Sequence, residues 1–575
     1  MRKVCALLLA ATLLLSLCAC GEQTENPTAA TTTVVTDEAN VTTEVENGEA
    51  DATQAEDAAT TESQDAGTTV IQEGATTVTA TNGVVITTAA GKGTVAQTTV
   101  ATKTPATEKT NNKKTTEKTT EKTTAAPTEA PQLTGKSGDF SYTVYGGKAV
   151  IDGYDGNAKT VTVPAKVDGY AVSEIDNRAF QNHNEITTLT LENGIEVVGI
   201  SAFNGCTGIK TVTIPQSVVK IANKAFQGCS NITTVNAANV GAWANIEFGS
   251  DANPLLSGAT LYIGGATVSG AVTLPAGTKR IGAGAFYHCT GLESIVIPSS
   301  VTEIGSDAFV GCTSLANVTF GNGITAIGNR AFQECGKITS LKLPTSLVTI
   351  GTRAFEKCKT LATVDFPASV ETVEGGAFQD CPQLKTVNIT DFAAWCRTDF
   401  KITSLKTANP LFLNKTKLYL NGTMVEGKVV FPKEAVHIGE GVMYGYPYIT
   451  EAVFEEGIES IGGYVFPSCS ALESVTIPNT VKTLGSCLFY DCDALTSISL
   501  PNSVTELGWG VFQLCGGLEE ITLGTGLKEI GGNAFEKCNA LKTVHYRGSE
   551  AQRQKIKIGQ ENTCLTGAKW NYNAK

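Results

Sequence analysis

The 575-residue sequence has few of the side chains that enzymes use most often for catalysis. Its four histidines, His183, His288, His437 and His545, are widely separated, and no HExxH, GxSxG or phosphate-binding glycine loop occurs. No two cysteines have the CxxC spacing that is typical of a zinc site. We therefore expect no enzyme activity, no cofactor and no metal site.

Basic residues are missing from a long stretch near the N-terminus. Between Gly21 and Ala90 there are thirteen Asp and Glu residues and no Lys or Arg. This stretch supplies much of the formal net charge of -13. Because nucleic-acid binding needs clustered basic side chains, the charge pattern argues against a nucleic-acid partner.

Aromatic residues are absent from Gly21 to Gly135, where Thr, Ala and Glu dominate. A segment of this composition cannot bury enough apolar surface to fold, so residues 20–135 are predicted to be a disordered tether. As a flexible coil it would have a root-mean-square span of about 55 to 65 Å. Its dense threonine also resembles glycosylated stalks, and composition leaves open whether sugars are attached.

The first nineteen residues are predicted to be a signal peptide. Arg2 and Lys3 precede an apolar run, Val4 to Ala19, that is shorter than the roughly 20 residues of a membrane-spanning helix. Its end, Leu17-Cys18-Ala19-Cys20, resembles the lipobox of bacterial lipoproteins. The resemblance implies that Cys20 carries a lipid, which would place the protein on the extracellular face of a bacterial membrane. The alternative is cleavage after Ala19 that leaves a free thiol.

Past Gly138 the sequence repeats with a period of 23 residues. The in-register phenylalanines are Phe180, Phe203, Phe226, Phe286, Phe309, Phe332, Phe355, Phe378, Phe466, Phe489, Phe512 and Phe535. A cysteine follows eleven of them by three residues, at Cys206, Cys229, Cys289, Cys312, Cys335, Cys358, Cys381, Cys469, Cys492, Cys515 and Cys538. Met443 with Tyr446 is a degenerate copy. Such a period predicts a solenoid with one coil per repeat.

The unit from Leu292 to Ser314 shows how one coil is built. Ile295 and Ile297 alternate with polar or outward positions, which predicts a short strand that ends at Pro298. Gly305 suits a tight corner. Ala308, Phe309 and Cys312 then follow at the spacing of one short helical or 3₁₀ turn. A single coil has too few apolar residues to fold alone, so neighbouring coils must stabilise each other.

These units resemble the BspA-like leucine-rich repeats, which read LxxIxIPxxVxxIGxxAFxxC, from about Asp176 to Val544. The resemblance implies a leucine-rich-repeat solenoid over residues 176–546, mainly parallel β with short helical or 3₁₀ turns. It also implies a surface protein that adheres to or binds an extracellular protein or another cell-surface ligand. The alternatives are a carbohydrate-binding module, with a glycan as partner, and a passive spacer of the envelope.

Two longer units interrupt the period, near residues 236–265 and 388–425. Trp243 in the first insert matches Trp395 in the second, and a degraded third copy has Arg553 at that position. Each Trp either projects as a ligand-binding protrusion or pins a helix onto the core. Residues 136–175 are predicted to be an N-terminal β cap and residues 547–575 a C-terminal cap, because open solenoid ends expose strand edges.

The cysteine column allows two interpretations. Secreted proteins commonly form disulfides, and neighbours in the column lie one coil apart. Their Cβ vectors, however, should run parallel instead of toward each other. We therefore prefer small buried thiols that fill the same pocket in every coil.

Two surfaces are candidates for ligand contact. The outward strand positions are small and polar and offer no visible sugar platform: Thr213, Val296, Thr319, Lys342, Asp365, Asn388, Thr476, Ser499, Thr522 and His545. Aromatic residues gather on the other edges of the later coils, at Tyr444, Tyr446, Tyr448, Tyr464, Tyr490 and Trp509. Because Tyr and Trp are enriched at binding hot spots, this group is the predicted contact surface. The alternative is that they are scattered loop and core residues.

Overall fold

The computed structural model describes residues 133–403, 406–412 and 414–575. The predicted signal peptide, Cys20 and the tether up to residue 132 lie outside the described residues. The described part is a solenoid of parallel strands in which residue i pairs with residue i+23 through most of its length, as Thr349 does with Thr372. The predicted solenoid and its 23-residue period are thus confirmed.

Each coil has three sides. In the coil of Phe309, the strand Gly291–Val296 is followed by a corner at Pro298, a two-residue strand at Glu303–Ile304 and a series of tight turns. Ile295, Ile304 and Phe309 point from these three sides into one core, and all are buried. We call the outer surface of the longer strands the strand face and the side that carries the turns the turn edge.

Two inserts divide the solenoid into three blocks. The N-terminal block, residues 133–267, includes helix α1 (Val240–Asn245) and a 3₁₀ turn at Pro254–Ser257. Its strands are β1 (Leu133–Ser137), β2 (Phe140–Tyr145), β3 (Lys148–Tyr154), β4 (Thr160–Val163), β5 (Lys166–Val167), β6 (Tyr170–Ile175), β7 (Thr188–Leu191), β8 (Val197–Val198), β9 (Thr211–Ile214), β10 (Lys220–Ile221), β11 (Thr234–Ala237), β12 (Glu247–Phe248), β13 (Thr260–Ile263) and β14 (Ala266–Thr267). The strand-face sheet has the order β14-β13-β11-β9-β7-β4. The other sheet begins with antiparallel β1-β2-β3 and continues in parallel to β12.

The middle block, residues 269–424, repeats this plan. It includes helix α2 (Phe392–Arg397) and a 3₁₀ turn at Pro410–Phe412. Its strands are β15 (Ser269–Thr273), β16 (Gly291–Val296), β17 (Glu303–Ile304), β18 (Asn317–Thr319), β19 (Ala326–Ile327), β20 (Ser340–Lys342), β21 (Thr349–Ile350), β22 (Thr363–Phe366), β23 (Thr372–Val373), β24 (Thr386–Ile389), β25 (Asp399–Phe400), β26 (Ile402–Thr403), β27 (Lys406–Thr407), β28 (Lys417–Leu420) and β29 (Thr423–Met424). As in the first block, an antiparallel hairpin, here β28-β29, ends the strand-face sheet.

The C-terminal block, residues 427–575, has two uninterrupted parallel sheets. Its strands are β30 (Gly427–Phe431), β31 (His437–Ile438), β32 (Ile449–Phe454), β33 (Ser460–Ile461), β34 (Ser474–Thr476), β35 (Thr483–Leu484), β36 (Ser497–Ser499), β37 (Glu506–Leu507), β38 (Glu520–Leu523), β39 (Glu529–Ile530), β40 (Thr543–Tyr546), β41 (Lys557–Ile558) and β42 (Lys569–Tyr572). Helices α3 (Glu550–Arg553) and α4 (Thr563–Gly567) lie in the last coil. The degraded third insert therefore forms the end of this block.

The phenylalanines form an interior row, as the period predicted. The rings of Phe309, Phe332 and Phe355 are fully buried and stack with centroid distances of 4.9 and 5.4 Å. The planes of neighbouring rings differ by 10° and 6° in these two pairs. Stacked rings add to the free energy that burial of apolar surface already contributes.

On the turn edge, backbone N–H groups at alternate positions donate to the following coil. In the coil of Phe309, the backbone N–H groups of Asp307, Phe309 and Gly311 donate to carbonyl oxygens of the next coil at 2.9, 2.7 and 2.9 Å. Asp307 and Gly311 have left-handed backbones, with φ of 61° and 69°. These two reversals aim every second N–H along the solenoid axis and prevent a continuous helix. Two donors of the last coil are paired in a similar way: Asn533 N–H donates to the carbonyl of Gln560 at 2.8 Å and Phe535 N–H to Asn562 Oδ1 at 2.9 Å.

The cysteine column consists of free, buried thiols, so the preferred interpretation is confirmed. Ten of the eleven thiols donate to a backbone carbonyl, as Cys335 Sγ does to Phe309 at 3.2 Å and Cys358 Sγ to Phe332 at 3.3 Å. Burial raises the pKa of Cys289 to about 12 and that of Cys358 well above its usual range. The thiolate, which is the reactive form, is therefore scarce at neutral pH.

We expect thiol alkylation of the native protein at pH 8 to be confined to exposed sites. Cys564, which is partly exposed, should react before any column member. After denaturation without reductant, all described cysteines should react, because none is oxidised. Mass spectrometry of the alkylated peptides gives the count. Disulfide-linked column peptides in the unreduced digest would contradict this expectation.

The tryptophans of the inserts act as pins: their side chains pack into the core and do not project from the surface. Trp243 and Trp395 are almost fully buried. Their indole N–H groups donate to the carbonyls of Ala285 at 2.6 Å and Val442 at 3.3 Å, which belong to the first full coil of the following block. At the matching position of the last described coil, the guanidinium of Arg553 lies 4.7 Å from the centre of the Trp570 ring. Trp is thus present where two blocks must be joined.

Candidate functional site

The structure separates the six predicted contact residues. Tyr446 is wrong as a contact residue, because it is 0% exposed. Its hydroxyl donates to the carbonyl of Val425 at 2.7 Å and accepts from the N–H of Leu418 at 3.2 Å. Tyr446 occupies the cysteine position of its coil, and that register places its side chain in the core.

Tyr448 lies at the start of β32, away from the turn edge. Its hydroxyl donates to the carbonyl of Lys415 at 3.1 Å, its ring packs 5.2 Å from Tyr446, and Lys417 Nζ lies 5.8 Å from the ring centre. These contacts hold the end of the second insert against the C-terminal block. Tyr448 is therefore part of the contact between the second insert and the C-terminal block, and not of the turn edge.

The remaining four predicted residues lie on the turn edge of four successive coils. These coils are built around Met443, Phe466, Phe489 and Phe512, and they carry Tyr444, Tyr464, Tyr490 and Trp509 respectively. All four side chains are partly exposed. Trp509 lies over Gly532, where an added Cβ would be 3.5 Å from the indole ring. Neighbouring coils thus bring these residues into one strip.

Phe412 is a member of this strip that the sequence did not reveal. It ends the 3₁₀ turn of the second insert, is 48% exposed and packs edge-on against Tyr444 with centroids 4.9 Å apart. Its counterpart in the first insert, Leu256, is 43% exposed. The shared NPL motif that precedes both residues was the available signal. We call Phe412, Tyr444, Tyr464, Tyr490 and Trp509 the edge aromatic group.

Burial raises the pKa of one tyrosine of the edge aromatic group and of one carboxyl group beside it. Burial, together with smaller effects of nearby Cys487, Tyr490 and Asp491, raises the pKa of Tyr444 to about 12. Burial also raises the pKa of Asp491, although a hydrogen bond of 3.0 Å from the Ser468 hydroxyl opposes the rise. Tyr444 therefore stays neutral at physiological pH, and the edge aromatic group presents a largely apolar surface with hydroxyl groups.

The strand face of the N-terminal block carries two rows of neutral polar residues. The first row is Thr160, Thr188, Thr211, Thr234 and Thr260. The second row is Thr162, Thr190, Thr213, Asn236 and Tyr262. Their inward neighbours, such as Val212 and Leu261, are buried. Neither row contains a charged side chain.

The outward strand column was predicted to be small and polar, and the structure adds two tyrosines to it. Tyr262 pairs with Asn236, and Tyr419 pairs with Asn388, so both tyrosines continue the outward column. The sequence hid them because the inserts lengthen the interval between paired strands. Aligning TLYI at Thr260 and KLYL at Lys417 with the preceding strands would have found them.

Two further grooves have mixed polar linings. One of about 600 Å³ lies on the strand face of the C-terminal block and is lined by Thr522, His545 and Asn571, among others. The other, of about 800 Å³, lies in the middle block beside Lys357 and Glu334, which form an ion pair of 2.8 Å. In this pair the Glu334 hydrogen bond raises the pKa of Lys357. Neither groove contains an activated nucleophile.

Within residues 133–403, 406–412 and 414–575, no three His, Cys, Asp or Glu side chains are grouped as metal ligands would be. In the same part of the chain, none of the helices is long and apolar enough to span a bilayer. The described surface thus offers sites for contact and none with the layout of a metal centre.

No curated protein matches the chain. Among solved structures, a leucine rich cell surface protein from Faecalibacterium prausnitzii A2-165 is 23% identical over 74% of this chain and 98% of its own, with a TM-score of 0.36. A leucine-rich repeat protein from Bacteroides ovatus ATCC 8483 is 23% identical over 76% and 98%, with a TM-score of 0.38. The pneumococcal vaccine antigen PcpA is 18% identical over 77% and 98%, with a TM-score of 0.31.

The family described as the BspA type leucine rich repeat region matches in six copies, over residues 157–247, 279–401 and 436–555. The gaps between these ranges contain the 3₁₀ turns and hairpins of the two inserts. The matched ranges cover more than half of the chain. The chain therefore belongs to the BspA-type leucine-rich repeat family.

Proposed function

We propose that the protein is a lipid-anchored surface protein of a bacterium that adheres to an extracellular protein through the edge aromatic group. The observation that carries the proposal is the strip of partly exposed aromatic side chains on four successive coils, with Phe412 packed against Tyr444 at its N-terminal end. Tyr and Trp are enriched at protein-binding hot spots, and large apolar side chains on a surface commonly mark an interface.

The solenoid supports this role by holding the strip rigidly. Each member is attached to a coil whose backbone is bonded to the next, as the N–H of Tyr464 is to the carbonyl of Ser486 at 2.9 Å. The core beneath the strip is continuous, with Phe466 and Phe489 stacked at 5.8 Å. A rigid binding surface loses little conformational entropy when a partner docks.

The proposed anchor is a lipid on Cys20, followed by a tether that spaces the solenoid from the membrane. We expect Cys20→Ala to move the full chain from the membrane fraction to the culture medium. Cys18→Ala is the matched control and should stay membrane-bound, because the cysteine that receives the lipid is unchanged. Immunoblotting of the two fractions measures the result. Continued membrane association of Cys20→Ala would refute the anchor.

The contact surface can be tested with the released full chain. We expect Tyr444→Ser, Tyr490→Ser and Trp509→Ser together to weaken binding to an immobilised extracellular matrix protein by at least about tenfold, measured by surface plasmon resonance on a purified panel. Tyr145→Ser is the control, since Tyr145 is 50% exposed on the N-terminal cap. Unchanged affinity of the triple variant would remove the edge aromatic group from the proposal. A chain that binds no panel member would favour a passive spacer.

A further inference from the structure

We infer that the strand face is a second binding surface, separate from the edge aromatic group, and that it takes a neutral polysaccharide at two equivalent subsites. One subsite is the pair Asn236 and Tyr262 at the end of the N-terminal block. The other is the pair Asn388 and Tyr419 at the end of the middle block. In each pair the two residues lie directly opposite each other on neighbouring parallel strands.

The two pairs have the same construction. The tyrosine is on the last parallel strand of its sheet, partly exposed, with a hairpin strand beyond it: Tyr262 faces Thr267, and Tyr419 faces Met424. In the part of the chain that the structure describes, neither tyrosine hydroxyl has a hydrogen-bond partner. Each pair therefore offers an aromatic face, a free hydroxyl and an amide on two neighbouring strands, which lie about 4.8 Å apart.

The asparagines are oriented by the strand before them. Asn236 Nδ2 donates to Thr213 Oγ1 at 3.4 Å, and Asn388 Nδ2 donates to Asp365 Oδ1 at 2.8 Å. These bonds engage the amide nitrogen and fix the side chain along the sheet. The Oδ1 atom of each asparagine stays available as an acceptor beside the tyrosine, which is a suitable arrangement for a sugar hydroxyl.

The charge of the strand face favours a neutral ligand most clearly in the N-terminal block, since Asp365 and Lys417 flank the pair in the middle block. The ten outward residues of the N-terminal block are eight threonines, Asn236 and Tyr262, with no charged side chain among them. Such a face gives a protein partner little to bind, since threonine is under-represented at protein hot spots. A sugar instead combines C–H faces that pack on an aromatic ring with many hydroxyl groups that exchange hydrogen bonds with threonine.

The repetition of the pair favours a polymer. Two similar subsites on one face of one rigid solenoid can be occupied together by a ligand whose own units repeat. Simultaneous occupation raises the overall affinity without new contacts. The third block lacks the pair, because Asn571 stands at the tyrosine position, opposite His545. The strand-face groove there has no Tyr, Trp or Phe in its lining.

The test uses the full chain with Cys20→Ala in native gels that contain a neutral polysaccharide: hydroxyethylcellulose, arabinoxylan, galactomannan or mixed-linkage β-glucan. We expect at least one of them to retard the protein. Tyr262→Ala and Tyr419→Ala should each weaken the retardation about tenfold, and the double variant about a hundredfold. Tyr262→Phe should keep most of the binding, because it retains the ring. Asn571→Ala, at the third equivalent position, should have no effect.

Several outcomes would overturn the inference. They are no retardation by any of the four polymers, retardation that the double variant leaves unchanged, and retardation by polygalacturonate alone, which would indicate a charged ligand. Loss of matrix-protein binding in the double variant would identify the occupant as a protein. Circular dichroism melts of each variant verify folding, and Asn236→Ala with Asn388→Ala repeats the test without removing an aromatic ring. The edge triple variant should keep polysaccharide binding, so the two proposals fail independently.

Discussion

Phe332→Ala should lower the free energy of unfolding by about 3 to 5 kcal/mol. Phe332 is fully buried, stacks on Phe309 at 4.9 Å and on Phe355 at 5.4 Å, and receives the edge of Phe320 at 5.8 Å. Its removal leaves a cavity that the coils above and below cannot close, because their own rings are fixed by the next pair in the row. The cost therefore combines lost burial, lost stacking and an unfilled cavity.

Phe412→Ala is the matched control for this change. It removes the same atoms from a side chain that is 48% exposed, and we expect an effect of about 1 kcal/mol or less. Chemical denaturation followed by circular dichroism compares both variants with the unchanged chain. Equal destabilisation by the two substitutions would show that the interior row is not the main source of stability.

Trp395→Ala should cost a similar amount, about 3 to 5 kcal/mol, and should also divide the unfolding transition. Trp395 packs on Phe366 at 5.2 Å and on Phe400 at 4.8 Å, and its N–H reaches Val442 in the following block. Without it, the middle and C-terminal blocks lose a shared contact of their cores. Because repeat proteins are stabilised by nearest-neighbour interfaces, a weakened interface lets the two sides unfold separately.

Scanning calorimetry and hydrogen exchange distinguish this result from simple destabilisation. We expect two calorimetric transitions, with early exchange at the N–H of Gly439, which donates to Cys396 across the same junction at 2.7 Å. Trp570→Ala is the control, since Trp570 lies on β42, away from the junction between the middle and C-terminal blocks. One transition at an unchanged midpoint for Trp395→Ala would contradict the role of Trp395 as a pin.

The coils with the 23-residue period could be predicted from the sequence, because the period determines which residues are equivalent in neighbouring coils. Phe309 and Cys312 recur in every ordinary coil at the same offset, so a buried position in one coil is buried in all. The same reasoning applied to Tyr446, which stands in the cysteine register, would have placed it in the core. The error came from grouping aromatic residues by closeness in sequence instead of by position within the coil.

The inserts could not be predicted in the same way. Thr234 pairs with Thr260 and Thr386 pairs with Lys417, so the interval between paired strands grows from 23 to 26 and then 31 residues. A change of one residue would turn Tyr262 from the outer face to the core, because side chains alternate along a strand. The outward direction of Tyr262 and Tyr419 follows once their strands are aligned across the inserts, whereas the contact of Phe412 with Tyr444 is visible only in three dimensions.

The equivalence of residues 23 positions apart has a consequence for how the molecule can change over generations. Each ring stack and each turn-edge hydrogen bond joins equivalent residues of neighbouring coils. Deleting or duplicating one whole unit inside a block therefore brings together coil surfaces that already fit. Unequal recombination between neighbouring units would alter the height of the protein in steps of one coil. Both ends and both tryptophan pins would be inherited intact, so related strains could carry taller or shorter versions with the same capping chemistry.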